Sequence, residues 1–88
     1  MTRAKKQYLV RGAEDRECLD ILLNATGITS ENFKSAFYDH FVRGLARTHS
    51  CLINDYDEGN FSRAMKVINK KAEEFEKYAE IKWKLSAK

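Results

Sequence analysis

One stretch of the sequence, residues 27–49, constrains the fold more than any other because it predicts a helix with a large aromatic face. It opens on a glycine and a capping signal at Thr29 and Ser30, and the helical pattern continues to about Ser50. Its apolar side chains recur at helical spacing at Phe33, Phe37, Tyr38, Phe41, Val42 and Leu45. A chain of 88 residues buries only about 60–65% of the surface that its unfolded form exposes. The sequence therefore predicts that a second copy of the chain helps to cover this helix.

The charge distribution at the start of the chain is compatible with an anionic partner. The formal net charge is +3, and the first twelve residues contain no acidic side chain. The basic residues of this segment are Arg3, Lys5, Lys6 and Arg11. Such a segment is either a solvated terminus or an arm that contacts phosphates.

Cysteine content and hydropathy favour a cytoplasmic protein without a membrane segment. Cys18 and Cys51 are too few for a disulfide scaffold, and both have apolar neighbours, so we expect buried thiols in a reducing compartment. No apolar stretch approaches the roughly 18 residues that a membrane span needs.

The order of the predicted elements divides the chain into three parts. Residues 6–11 (KQYLVR) have the composition of a short β-strand, and no second strand candidate follows. A helix with acidic residues at its start follows and ends at Gly27. The strand, this helix and the aromatic helix make a domain of residues 1–50. Residues 51–60 are a linker, and residues 61–88 form a long amphipathic helix.

The long C-terminal helix has an apolar seam at heptad spacing, which is typical of a coiled coil. The seam consists of Phe61, Met65, Ile68, Ala72, Phe75 and Ala79. It favours self-association into a dimer of dimers, although docking onto the helix's own domain or onto a protein partner fits the same pattern.

The sequence contains no catalytic or metal-binding constellation. His40 and His49 have neither a nucleophile nor an acidic partner at a fixed spacing, and the four glycines form no phosphate-binding loop. We expect no enzyme activity, no cofactor and no metal.

A strand without a mate in its own chain can pair with the same strand of a second chain. Alternation along such a strand directs Tyr8 and Val10 into the core and Gln7, Leu9 and Arg11 outward. A two-stranded ribbon fits the major groove of DNA, so these outward residues are predicted to read bases. The predicted phosphate contacts are Arg3, Lys5, Lys6, Thr29 and Ser30.

This plan resembles the ribbon-helix-helix family of repressors over about residues 5–50. The resemblance is carried by QYLVR, by EDRECLDILLNATG and by GITS before the aromatic helix. It implies a mainly α fold: a short N-terminal strand plus two helices in an intertwined dimer, followed by the long C-terminal helix. It also implies sequence-specific binding to double-stranded DNA by a homodimer that regulates transcription.

The predicted oligomer interface combines the strand, the aromatic helix and the heptad seam. Its members are Tyr8, Val10, Phe33, Phe37, Phe41, Leu45, Phe61, Met65, Ile68 and Phe75. The alternative is an all-α three-helix protein that acts as a protein–protein interaction module, such as a phage- or plasmid-encoded inhibitor or adaptor.

Overall fold

A computed structural model of the chain describes residues 8–86, and these residues form four α-helices. They are α1 (Arg16–Thr26), α2 (Glu31–Phe41), α3 (Arg47–Ile53) and α4 (Glu58–Ser86). No strand occurs within residues 8–86, so the predicted ribbon-helix-helix fold is wrong. Over the described part of the chain the fold is all-helical, with four helices rather than the three of the alternative.

Residues 8–11 pack against their own chain instead of forming a strand. Leu9 is buried in the core, and the Tyr8 hydroxyl lies 3.4 Å from the Glu73 carboxylate of α4. The Val10 amide donates to the Glu14 carboxylate at 2.7 Å, and its carbonyl accepts from Ala13 in a turn. Because side chains and a turn take up these backbone groups, this segment needs no neighbouring strand.

The predicted glycine end of the first helix and the predicted hydroxyl cap of the second are confirmed, and α1 also has a side-chain cap that was not predicted from the sequence. Asp15 caps α1 by accepting a hydrogen bond from the Glu17 amide, and Gly27 ends α1 in the left-handed conformation with φ at 73°. Ser30 caps α2, since its hydroxyl accepts from the Phe33 amide at 3.2 Å.

The aromatic helix ends at Phe41, well before the predicted end near Ser50. Gly44 has a φ of 80°, which no α-helix accommodates. The Leu45 amide turns back to the Asp39 carbonyl, and His40 Nδ1 lies 2.7 Å from the Leu45 carbonyl oxygen. The chain therefore reverses after α2 and begins the short helix α3.

The aromatic face of α2 is covered by its own chain. Phe33 packs 5.4 Å from Phe37, 5.5 Å from Tyr56 and 5.2 Å from Phe61 of α4, between ring centroids. Phe33, Phe37 and Phe61 are all fully buried. A second copy is thus not needed to cover this helix, because α4 and the segment before it do so. The intertwined dimer was an incorrect expectation for this reason.

The core also includes the apolar face of α1, with one exception. Leu19, Leu22 and Leu23 are buried, whereas Cys18 is exposed. The expectation that both cysteines are buried is therefore wrong for Cys18. On the same helix, Asp20 accepts a hydrogen bond from the Tyr38 hydroxyl.

Tyr38 joins α1 to α2 through two residues of α1. The Arg16 guanidinium lies over its ring at 4.4 Å, and the hydroxyl donates to the Asp20 carboxylate. Burial, and then the hydrogen bond to Asp20, raises the pKa of the Tyr38 phenol.

The long helix α4 is docked only along its first half. Its buried residues are Phe61, Ile68 and Ala72, and every residue from 74 to 86 is exposed. A helix of 29 residues is about 43 Å long, close to the 49 Å longest dimension of the described chain. The second half of α4 therefore projects from the helical body. Within residues 8–86, no helix is long and apolar enough to cross a membrane.

Candidate nucleic-acid interface

The connection between α3 and α4 is a short, well-bonded turn. The seven-residue α3 is followed by four residues, 54–57, before α4 begins. The Tyr56 amide donates to the Cys51 carbonyl at 2.9 Å. Asp57 caps α4, since its carboxylate accepts from the Asn60 amide at 2.9 Å and its carbonyl from the Phe61 amide. A short helix, a turn of this length and a longer helix are the parts of a helix-turn-helix motif.

The inner side of these two helices is anchored in the core. Ser50 and Cys51 of α3 are buried, as is Phe61 of α4. Burial, with a smaller contribution from the Glu58 carboxylate, raises the pKa of the Cys51 thiol, so this cysteine is held as an uncharged packing residue.

A carboxylate at the start of α4 ties the two helices together at the surface. Glu58 Oε2 accepts from Arg47 Nε at 3.2 Å and from Thr48 Oγ1 at 3.1 Å. Both donors lie in the first turn of α3. With the buried contacts beneath them, these bonds fix the orientation of α4 relative to α3.

The outer side of the first half of α4 carries an exposed row of cations, which we call the basic face. It consists of Arg63, Lys66 and Lys70. At about 100° per residue, all three project within about 40° of the direction opposite the buried Ile68. Within residues 8–86 none of the three forms an ion pair, and residues 59–72 contain no acidic side chain. Arg63 Nη1 donates to Asn60 Oδ1 at 2.6 Å, which adds an amide to one end of the face.

The residues predicted to read bases do not share a surface in the structure. Leu9 is buried, whereas Arg11 is exposed and donates from Nε to the Gly44 carbonyl at 2.7 Å. Tyr8 is half-buried and Val10 is 59% exposed, so the side chains do not alternate as a ribbon requires. The base-reading roles were inferred from that ribbon and lose their structural basis with it. Gln7 lies outside the described residues.

The predicted phosphate contacts fall in two places. Arg3, Lys5 and Lys6 lie outside the described residues. Thr29 and Ser30 are exposed at the start of α2, where the Ser30 hydroxyl is engaged as the helix cap. A phosphate-binding role for these two residues stays a prediction.

The predicted interface residues divide between the core and the surface. Phe33, Phe37, Phe41, Phe61 and Ile68 are buried within the single chain. Leu45 and Met65 are half-buried, and Phe75 is 39% exposed. The apolar seam of α4 is thus mainly the side that docks onto the helical body.

Sequence reasoning missed the basic face because it treated the long helix only as a source of a coiled-coil seam. The available signal was a stretch of fourteen residues, 59–72, that lacks acidic residues and carries cations at helical spacing. Arg63, Lys66 and Lys70 follow one another at intervals of three and four, which places them on one face of any helix.

The comparison with protein families assigns this helical chain to a class, the transcription regulators. The model of the PapB family, described as adhesin biosynthesis transcription regulatory protein, matches residues 1–80. The chain belongs to the PapB family. This description names a regulator rather than an enzyme. Neither curated proteins nor solved structures gave a significant match.

Proposed function

We propose that the chain is a dimeric, sequence-specific transcription regulator that binds double-stranded DNA through the basic face of α4. The observation that carries this proposal is the row of Arg63, Lys66 and Lys70, which is exposed and forms no ion pair with any residue from 8 to 86. Membership of a transcription regulator family supports the same assignment.

The surroundings of the basic face suit an anionic polymer. Cations that form no ion pair within residues 8–86 are available to phosphates, and the counterions that such contacts release from the duplex drive binding. Along the axis of α4, Arg63 and Lys70 are about 10 Å apart. A row of this length can contact several phosphates of a duplex. Asn60 and Arg63 can in addition make hydrogen bonds to base edges.

The contacts between α3 and α4 favour the basic face, rather than the N-terminal segment, as the surface that contacts the bases. In helix-turn-helix proteins the second helix contacts the bases, while the first crosses the DNA backbone. Here α3 is bound to the start of α4 through Glu58, which gives the basic face a fixed position. The basic residues before Tyr8 then serve as an additional phosphate-contacting arm.

The proposal is tested by replacing one cation at a time with an uncharged residue and titrating duplex binding with salt. For Lys66→Gln we expect weaker binding to all duplexes and a salt-dependence slope smaller by about one, since one phosphate contact is lost. For Arg63→Gln we expect an additional loss of preference among duplexes, because this residue lies beside Asn60.

The matched control is Lys34→Gln on α2, a lysine paired with Glu31 at 3.8 Å and away from the basic face. It should leave both the affinity and the salt slope unchanged. If the triple variant at Arg63, Lys66 and Lys70 bound DNA as tightly as the unaltered chain, the proposal would fail. A chain that bound only another protein would support the interaction-module alternative.

A further inference from the structure

The projecting half of α4 carries an uncovered apolar row, which we call the distal strip. It consists of Phe75, Tyr78, Ile81 and Leu85, which are 39%, 66%, 59% and 61% exposed. Their spacing of three, three and four residues places them on one side of the helix. Phe75 continues the docked seam of Ile68 and lines a pocket beside Leu22 at the edge of the helical body. Tyr78, Ile81 and Leu85 lie beyond that edge and turn away from the seam.

A helix with such a strip is poorly stabilised on its own. Helical segments of about 12–15 residues are marginal in water without tertiary contacts, and residues 74–86 are all exposed. Four large apolar side chains in a row also mark a site of association rather than scattered surface residues.

We propose that the distal strips of two copies of this chain pair antiparallel, with the two-fold axis at Tyr78. In this register Tyr78 faces Tyr78 of the second copy, and Phe75 faces Ile81. Glu74 then faces Lys82 of the second copy, twice in each dimer. Phe75 and Ile81 lie at equal distances on either side of Tyr78, whereas Leu85 meets the Lys71 stem of the second copy. Glu74 and Lys82, the charged residues that flank Tyr78 at four residues on either side, are opposite in sign. Glu76 and Glu80 also lie at equal distances, but at about 100° per residue both point away from the contact.

The charge pattern distinguishes this arrangement from a parallel one. A parallel pair places identical residues at the same height, so Glu74 would lie beside Glu74 and Lys82 beside Lys82. Like charges facing each other across helices destabilise pairing, whereas opposite charges favour it. The segment from Glu73 to Glu76 is predominantly acidic and Lys82 and Lys84 are basic, which favours the antiparallel direction.

The antiparallel pair has a consequence for DNA binding that depends on the proposed function. Lys66 lies twelve residues before Tyr78, so the two copies of Lys66 are about 36 Å apart along the helix axes. The basic face is turned about 80° around α4 from the distal strip. Because the two-fold axis is perpendicular to both helices, both basic faces point to the same side of the dimer. This separation is about one turn of the double helix.

The pairing is tested without DNA by exchanging charges and measuring mass by sedimentation equilibrium. Glu74→Lys alone places two lysines opposite each other at both ends of the contact, and Lys82→Glu does the same with two glutamates. We expect each to raise the dimer dissociation constant by about tenfold. An equimolar mixture of the two variants should regain the original mass, because each Lys then faces a Glu. If the mixture associates no better than either variant alone, the antiparallel register is refuted.

Glu74 also forms an ion pair with Lys71 of its own chain at 3.0 Å, so the charge exchange needs a control for helix content. Circular dichroism of the equimolar mixture of Glu74→Lys and Lys82→Glu should show the same helix content as the unaltered chain. Recovery of mass on mixing cannot result from the lost pair within one chain, since mixing does not restore that pair.

A second measurement uses disulfide formation in a Cys18→Ser background, which removes the exposed native thiol. Tyr78→Cys should cross-link to itself, because the two copies of this position meet at the axis. Ile81→Cys should not, because its two copies are offset by about 9 Å along the helices, beyond the distance that a disulfide spans. Cross-linking at both positions would indicate a parallel pair, and a chain that stays monomeric would overturn the proposal. Neither outcome bears on duplex binding by the basic face.

Discussion

At the scale of single residues, two glycines join the N-terminal segment to the reversal after α2. A Cβ atom built on Gly12 would lie 3.1 Å from the Gly44 Cα, and both glycines have positive φ angles. Arg11 donates to the Gly44 carbonyl, and the Glu14 amide donates to the Phe41 carbonyl at 3.1 Å. This close backbone contact holds the residues before α1 against the end of α2.

The contact predicts different costs for two glycine substitutions that share a backbone conformation. Gly27 has a φ of 73°, close to the 74° of Gly12, but an added Cβ there meets nothing within 4 Å. Gly27→Ala should lower the free energy of unfolding by about 1–2 kcal/mol through backbone strain alone. Gly12→Ala should lower the free energy of unfolding by more than Gly27→Ala does, because the added Cβ also presses on the Gly44 backbone. Urea denaturation measures both, and equal losses would contradict the importance of the contact.

At the scale of elements, each helix has a distinct reason to begin and end where it does. α1 and α2 start at side-chain caps, and α1 stops at a left-handed glycine. α3 has no side-chain cap and instead depends on the Glu58 carboxylate and on its buried residues. α4 continues beyond the body because nothing in its sequence interrupts it; the chain contains no proline.

The cap of α2 gives a prediction about the stability of the fold. Ser30→Ala removes the acceptor of the Phe33 amide and should lower the free energy of unfolding by about 1 kcal/mol. Thr29→Ala is the matched control, and it should have little effect because only the Ser30 hydroxyl caps the helix. Thermal unfolding followed by circular dichroism compares them. An equal effect of both substitutions would show that the hydroxyl bond does not stabilise α2.

At the scale of the whole molecule, α4 connects the proposed DNA contact with the proposed dimer contact. Its first half is docked onto the other helices and presents the basic face, and its second half projects and presents the distal strip. In the proposed dimer the pairing of the distal strips supports this second half, and α4 then sets the distance between the proposed dimer contact and the proposed DNA contact. This coupling makes the spacing of DNA sites a measurable property of the protein.

The coupling predicts that duplexes selected from a random pool contain two half-sites about 10–10.5 base pairs apart, centre to centre. Inserting five base pairs between them turns one half-site to the opposite side of the duplex. Electrophoretic mobility shifts should then show an affinity close to that for one half-site. The Glu74→Lys chain serves as the control: its dimer is expected to be about tenfold weaker, so its affinity should respond less to the insertion. Unchanged affinity of the unaltered chain for the lengthened site would refute the coupling.

Several local features could be predicted from the sequence because they depend on neighbouring residues. The helix from Arg16 to Thr26, its glycine end and the Ser30 cap all follow from short-range patterns, and the structure contains them. The long C-terminal helix likewise follows from its periodicity. The basic face could have been predicted, since Arg63, Lys66 and Lys70 have helical spacing, but the sequence left open whether the apolar seam docks on its own domain or on a partner.

Tertiary structure decided what covers each apolar surface. The aromatic residues of α2 require burial, and Phe61 and Tyr56 of the same chain provide it, so the second copy that the sequence suggested is not required there. Leu9 likewise finds the core of its own chain, and residues 8–11 form no strand. Hydrophobic burial is not directional: the amino-acid pattern determines that a surface must be covered, and only the packed chain determines by what.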